Sequence, residues 1–280
     1  MSRRVAFISG ASRGIGRATA LAFARAGFDL VITGRTQVEG QMHEHALTQP
    51  DGTPLPGSLA ATARALEACG AEVLALPMDL LDSASVAAAA QHALAHFGRV
   101  DVLVNNAIYQ GRDLNAPFMA LTAETLTRVA QGYLIAPVQL TQALLPAMLS
   151  QGGGVVINIT SGAGEKDPPL PADRGGWGYA YGAGKAAVSR LSGVLARESG
   201  EQGIRAYTVN PGVVATEALQ ATLGEGGELA RRYGAVSPSL PAAVLLWLAT
   251  APEAESMQYR TLDAQPLARE RGLVAEAEES

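Results

Sequence analysis

Apolar residues in this chain fall into short runs that alternate with stretches of helical spacing. Val5, Ala6, Phe7 and Ile8 form the first run, with a β-branched residue at each end, which predicts a buried strand. Ile15, Ala18, Ala20, Leu21 and Ala24 then recur at the helical period. Asp29–Thr33 reads as a second strand, so the first part of the chain is a βαβ unit, which implies a right-handed crossover and a parallel pair. Further strands are expected at Glu72–Pro77, Val100–Val104, Val155–Ile159 and Ile204–Val209, with a short candidate at Gln258–Leu262. Helices are expected at Ser58–Cys69 and Ser83–Phe97, stopped by Gly70 and Gly98. Others are expected at Thr122–Leu149 with Pro137 inside, at Tyr179–Glu198 and at Ala242–Leu248.

Six or seven strands alternating with helices predict an α/β fold, a Rossmann-type doubly wound parallel sheet with helices on both faces. No shift of composition divides the chain, so one domain is expected over residues 1–280. Two polar stretches lack a period and read as surface insertions, near 36–56, which carries three prolines, and near 164–178. Glu217–Ala235 reads as a small, charged, mobile segment, and residues 264–280 as a polar tail.

Composition narrows the function. With 280 residues, 48% of them apolar, the chain can bury a sizeable core. A net charge of −5 and the lack of a Lys/Arg run argue against nucleic acid. Cys69 is the single cysteine, so no disulfide framework exists and a cytoplasmic, reducing setting fits best. The apolar run behind the two N-terminal arginines is too short for a signal sequence, and no membrane-spanning stretch is expected.

The chemistry gathers at one edge of the expected sheet. After the first strand comes Gly10-x-x-x-Gly14-x-Gly16, a glycine turn leading into a helix whose N-terminus offers free N–H groups and partial positive charge to a phosphate. The same turn also suits a tight loop that binds nothing. Gly10, Arg35, Asp79, Asn105, Ser161 and Pro211 all follow strands, and ligands of such sheets sit beyond the strands' carboxyl ends. Tyr181 and Lys185 lie four positions apart, on one helix face. An ammonium beside a phenol stabilises the phenolate, lowering a pKa near 10 towards neutrality and fitting the phenol for proton transfer. Chance also places Tyr and Lys at this spacing on solvated helix faces; Tyr179 lies off the face that holds Lys185.

In order, the chain carries Gly10-Ala11-Ser12-Arg13-Gly14-Ile15-Gly16, Asn105-Asn106-Ala107, Ser161, Tyr181-x-x-x-Lys185 and Pro211-Gly212-x-Val214-x-Thr216. Over residues 3–250 it resembles the short-chain dehydrogenase/reductase family. That resemblance implies a nicotinamide dinucleotide and hydride transfer to or from a small carbonyl or alcohol substrate, as in a carbonyl reductase. It implies Tyr181 as general acid/base, Lys185 tuning it and holding the nicotinamide ribose, and Ser161 orienting the substrate oxygen. Gly10 to Gly16 would hold the pyrophosphate, Asp79 and Leu80 would meet the adenine, Asn105 to Ala107 would line the adenosine side, and Pro211 to Thr216 would contact the nicotinamide end. Related proteins often pair through the two long helices, so a homodimer or homotetramer is expected.

Cofactor choice has a physical handle. A carboxylate after the second strand binds the ribose 2′-hydroxyl of NAD and repels a 2′-phosphate. Here Gly34 holds that place, followed by Arg35, with Arg13 in the glycine turn. Two cations and no anion favour NADP(H) over NAD(H).

The chain departs from the family pattern at four places. Ile108 follows Asn105-Asn106-Ala107 where glycine is usual, and Tyr133 stands where the family carries an active-site asparagine. Pro137 has no N–H, so the Tyr133 carbonyl four residues earlier loses its helical partner and is free to hold a water in a kink. Ser161 and Tyr181 are unusually far apart, with the extra residues read as a loop over the substrate entrance and Trp177 as a candidate lining residue. The chain ends with Leu262-Asp263-Ala264-Gln265 where Asp-Gly-Gly is common. Tyr133 and this altered end suit a rival reading, a non-catalytic dinucleotide-binding sensor or scaffold, whereas intact Ser161, Tyr181 and Lys185 oppose it. An acyl-thioester substrate draws little support, because no basic cluster lies near Glu217–Ala235. His43 and His45 read as solvated, His92 and His96 lack a third ligand, and no metal is expected.

Overall fold

The computed structural model describes residues 3–223 and 234–273. Its strands are β1 (Val5–Ser9), β2 (Asp29–Gly34), β3 (Val73–Pro77), β4 (Val102–Asn105), β5 (Gly154–Ile159), β6 (Ile204–Asn210) and β7 (Thr261–Asp263). Among the described residues they make one sheet in the order β3-β2-β1-β4-β5-β6-β7, and every pair is parallel. The order reverses between β1 and β4, the place where doubly wound sheets open a crevice for a ligand.

Alternation along the strands explains the two cores. Ile8, Ile32, Val104 and Ile157 face one way, onto α1 (Gly14–Arg25), α2 (Leu59–Glu67) and α8 (Ser239–Thr250). Phe7, Val31, Leu103 and Val156 face the other, onto α3 (Ser83–Phe97), α5 (Ala136–Ser150) and α6 (Tyr179–Ser199). Cover on both faces is why the strands read as continuous apolar runs. Two helix limits follow from capping: the Asp82 side chain accepts from Ala84 N at 2.9 Å to start α3, and Gly98 ends it in the left-handed conformation at φ +68°.

Three expectations are corrected. The helix expected over Thr122–Leu149 is present as one helical run over 123–150 with Pro137 inside it, and it is built of α4 (Ala123–Val129), a π-helical turn over Ala130–Ile135, and α5. The π-helical turn just before Pro137 is the feature the sequence does not announce. The run 123–150 is also long and apolar enough, by length and composition, to cross a membrane. Leu140, Leu144 and Met148 account for much of that apolarity by filling the core beneath the sheet. Glu217–Leu223 is helical (α7), while residues 224–233 of the expected mobile segment lie outside the described residues. The expected polar tail begins with α9 (Ala264–Glu270), whose Ala264, Leu267 and Ala268 are buried; residues 274–280 lie outside the described ones.

Candidate active site

At the end of β1, Gly10 and Gly14 adopt positive φ of +71° and +55°, which side chains other than glycine disfavour. The Gly10 and Ala11 N–H groups both donate to Thr33 O, at 2.8 and 3.0 Å, folding the turn against β2. A Cβ on Gly16 would lie 2.2 Å from Gly10 O, so only glycine lets α1 start this close to the turn. Arg13 occupies the N-cap of α1 without a side-chain cap bond, and the first helical bond is Arg17 N to Arg13 O at 3.1 Å. The N–H groups of Gly14, Ile15 and Gly16 therefore have no partner within the helix, and buried Ser12 closes the turn behind them. A cradle of this shape and polarity fits a dinucleotide pyrophosphate.

Asn106 holds the cradle's far wall. Its Nδ2 donates to Ser9 O at 2.9 Å and Gly10 O at 3.2 Å, while the Asn106 and Ala107 N–H groups both donate to Ser9 Oγ at 3.0 Å. Asn105 was expected beside the adenosine, but its Nδ2 donates inward to Asn158 Oδ1 at 2.9 Å and Thr141 Oγ1 at 3.2 Å. Consecutive strand residues point to opposite faces, so the pair cannot both line one crevice.

The two arginines lie at the expected edge but are engaged. Arg13 Nε donates to Pro56 O at 2.8 Å, and its Nη2 to Gly57 O at 2.9 Å and Leu55 O at 3.2 Å. Arg35 Nη1 donates to Glu44 O at 3.1 Å. The 36–56 insertion is thus folded onto the glycine turn through its carbonyl groups. His43, expected to be solvated, has its Nε2 buried without a partner, and burial together with Arg35 pushes its pKa down. Asp79 follows β3, and its carboxylate accepts from Leu81 N at 3.0 Å, fixing the turn that carries Leu80.

At the other end of the crevice, β5 delivers Ser161, whose Oγ accepts from Ala163 N at 3.3 Å. Tyr181 and Lys185 stand one turn apart on α6, beside that strand end. Lys185 is 3% exposed, and its Nζ donates to Ile159 O at 2.9 Å. Burial lowers its pKa to about 7. Burial also raises the Tyr181 phenol above its ordinary value, opposed by a hydrogen bond with Ser161. Lys185, expected to lower the Tyr181 pKa, is not among the influences on that phenol, which burial dominates.

Tyr133 packs directly against this pair. It is 1% exposed, its ring meets Tyr181 edge-to-face at 6.4 Å between centroids, and Lys185 Nζ lies 5.7 Å from its centroid. Gly184 makes room, since a Cβ there would sit 2.7 Å from Tyr133 Cδ1.

The turn after β6 closes the crevice. Gly212 has φ +75°, and its N–H donates to Asn210 Oδ1 at 3.1 Å. Pro211 and Val214 are buried, and the Thr216 methyl faces Gly14 across the cradle. Two further neighbours meet this turn, Gln265 from the altered C-terminal end and Glu217, which the sequence reading missed. Gln265 Nε2 donates to Val213 O at 3.1 Å and covers Gly212. Glu217 places a buried, unpartnered carboxylate oxygen beside Gly14. An acidic residue opening a helix signals only a good first turn, and nothing in the sequence shows that this helix meets the glycine turn.

A cleft of about 670 Å³ lies alongside, lined by Phe118, Trp177, Tyr179, Ala183 and the 163–168 segment. The second insertion thus walls a cavity that Trp177 lines, although Ser161, Tyr181 and Lys185 do not line it.

The family model described as short chain dehydrogenase matches residues 54–225. This chain belongs to the short-chain dehydrogenase/reductase family. It is 32% identical over 250 residues to the short chain dehydrogenase mpl6 of Monascus purpureus, covering 88% of this chain and 75% of the relative. It is 30% identical to a 3-oxoacyl-[acyl-carrier-protein] reductase of Synechocystis, covering 94% and 96%. The crystal structure of a short chain dehydrogenase from Mycobacterium paratuberculosis bound to NAD superposes with a TM-score of 0.75 at 26% identity, covering 93% and 96%. Members of this family are oxidoreductases that bind a nicotinamide cofactor and act on small molecules, which fits the glycine cradle and the Ser161–Tyr181–Lys185 cluster.

Proposed function

We propose that the chain is a single-domain carbonyl reductase or alcohol dehydrogenase that prefers NADP(H), with Tyr181 as its general acid/base. The observation that carries this reading is Tyr181 beside Ser161 and the buried Lys185 at the end of β5, on the same edge of the sheet as the glycine cradle. When bound, the nicotinamide supplies or accepts the hydride. In reduction, Tyr181 gives its hydroxyl proton to the carbonyl oxygen as the carbon becomes an alcohol; in oxidation it takes that proton back. Ser161 donates a hydrogen bond to the same oxygen and orients it. Lys185, protonated, stabilises the phenolate left on Tyr181. The Tyr133 carbonyl, four residues before Pro137, is the group we assign to hold a water behind Lys185.

Gly10, Ser12, Gly14, Ile15 and Gly16 would hold the pyrophosphate, Leu80 and Ala107 the adenosine, and Pro211, Gly212, Val214 and Thr216 the nicotinamide end. Preference for NADP(H) is supported by Gly34 at the end of β2, where no carboxylate stands, and by Arg35 next to it, whose guanidinium spends one nitrogen on Glu44 O. A relative bound to NAD stands on the other side, so preference needs a direct titration. Binding of NADPH at least tenfold tighter than NADH supports the assignment, and equal affinity overturns it. Exposed Leu126, Leu134, Ile135 and Val194 on the two long helical stretches supply an apolar face for a homodimer or homotetramer.

Turnover of aldehydes and ketones with NADPH tests the enzymatic reading. Tight NADPH binding without turnover would favour a dinucleotide-binding sensor instead.

A further inference from the structure

The Lys185 amine is almost fully enclosed by protein, at 3% exposure. Its Nζ has the Ile159 carbonyl from β5 on one side and the face of the Tyr133 ring, at 5.7 Å, on another. Tyr181 on the same helix and Tyr133 on the π-helical turn are the titratable groups packed around it; among the described residues no carboxylate contributes to its displacement, which burial alone produces. A single carbonyl is a thin reward for burying a cation, whose desolvation is costly unless paired. The ring face is the second source of negative potential in the pocket.

The chain is built to put it there. The π-helical turn over Ala130–Ile135 inserts an extra residue between α4 and α5, and Tyr133 lies within it. Two glycines admit the arrangement: a Cβ on Gly132 would sit 2.7 Å from the Tyr109 Cβ, and one on Gly184 would strike the Tyr133 ring. Meanwhile the Tyr133 hydroxyl is buried and has no hydrogen-bond partner. An orphaned hydroxyl argues that the aromatic ring, not the oxygen, is what the site uses.

We propose that Tyr133 is a positioning residue for Lys185, its ring face holding the ε-ammonium in the site and favouring its protonated form. The ring does not touch the reacting atoms; it acts through Lys185, on the reading that Lys185 serves the Tyr181 phenol. Because that ammonium stabilises the phenolate only while it carries its charge, the ring sets the pH range over which the pair works.

The test uses the full chain without cofactor, so it does not depend on turnover. The sequence contains two lysines, Lys166 and Lys185, so ε-13C-lysine NMR resolves the buried amine against an exposed internal reference. Tyr133→Phe keeps the ring and should leave the Lys185 midpoint within about 0.3 pH unit. Replacing that Phe by increasingly fluorinated phenylalanines drains the ring face while preserving its shape. The midpoint should then fall stepwise, by about half to one pH unit in all, a three- to tenfold loss of proton affinity. Tyr133→Leu should match the most fluorinated ring, and melting curves report which variants are folded. A Lys185 midpoint unmoved by fluorination in folded protein overturns the proposal, whatever the assays of NADPH oxidation show. A normal fluorination series with no turnover would instead count against the catalytic reading alone.

Discussion

The amide of Asn106 reaches across the crevice to the carbonyl of Gly10, 3.2 Å away, and so ties the turn after β4 to the turn after β1. Because the same nitrogen also serves Ser9 O at 2.9 Å, removing it leaves two main-chain acceptors without this donor. Asn106→Ala should cost about 1–3 kcal/mol in urea unfolding. It should also weaken dinucleotide binding at least tenfold in calorimetric titration, since the glycine cradle loses its far wall. A variant with parental affinity would show that the cradle holds its shape without Asn106.

Gly16 is a sharper probe of the same cradle. A methyl group there would meet Gly10 O at 2.2 Å, so Gly16→Ala must push α1 away from the turn. Dinucleotide affinity should drop by more than tenfold, with a smaller loss of stability because the helix itself prefers alanine. Equal affinity by fluorescence titration would mean that the pyrophosphate does not use this turn.

Glu217 sets a carboxylate against the face where a pyrophosphate would lie, with Oε2 near Gly14. Like charges repel, so Glu217→Gln should tighten binding of the dinucleotide several-fold, most clearly at low salt. Weaker binding in the variant would instead make Glu217 a ligand-ordering group.

Lys185 links folding to pH. Its folded pKa of about 7 lies well below the 10.5 of an unperturbed lysine. Between those values the unfolded chain binds a proton that the folded chain does not, so stability rises as pH increases from about 7 towards 10. The whole span is worth about 5 kcal/mol. Lys185→Met should flatten this rise and be more stable than the parent at pH 7. Urea melts of both proteins from pH 6 to 9.5 check it; parallel curves would mean Lys185 is not buried in this way.

Much of the fold was legible because burial leaves a plain trace. Ile8, Ile32 and Val104 face one core while Phe7, Val31 and Leu103 face the other, so their strands read as unbroken apolar runs. The end of Ser83–Phe97 is legible because Gly98 stops it, and the structure adds the Asp82 cap at its start. The π-helical turn was not legible. Pro137 announced a missing N–H, but a local sequence does not say whether the chain answers with a kink or with an extra residue. Arg13 counts in the sequence as a cation for a phosphate, whereas carbonyls of Leu55, Pro56 and Gly57 engage it. Those partners lie at the end of an insertion without period, and any residue type can offer a carbonyl. Ala264–Glu270 escaped notice because its buried stripe is only Ala264, Leu267 and Ala268, too slight to stand out among charged neighbours.

The role of Tyr181 is tested most directly by NADPH oxidation across a panel of aldehydes and ketones, by the parent protein and by Tyr181→Phe. The substitution removes one hydroxyl and keeps the ring against Tyr133. Turnover is expected in the parent and a fall in kcat of at least about a hundredfold in the variant, with NADPH affinity little changed. Equal turnover in the two proteins would contradict that role, because the proton would then come from another group.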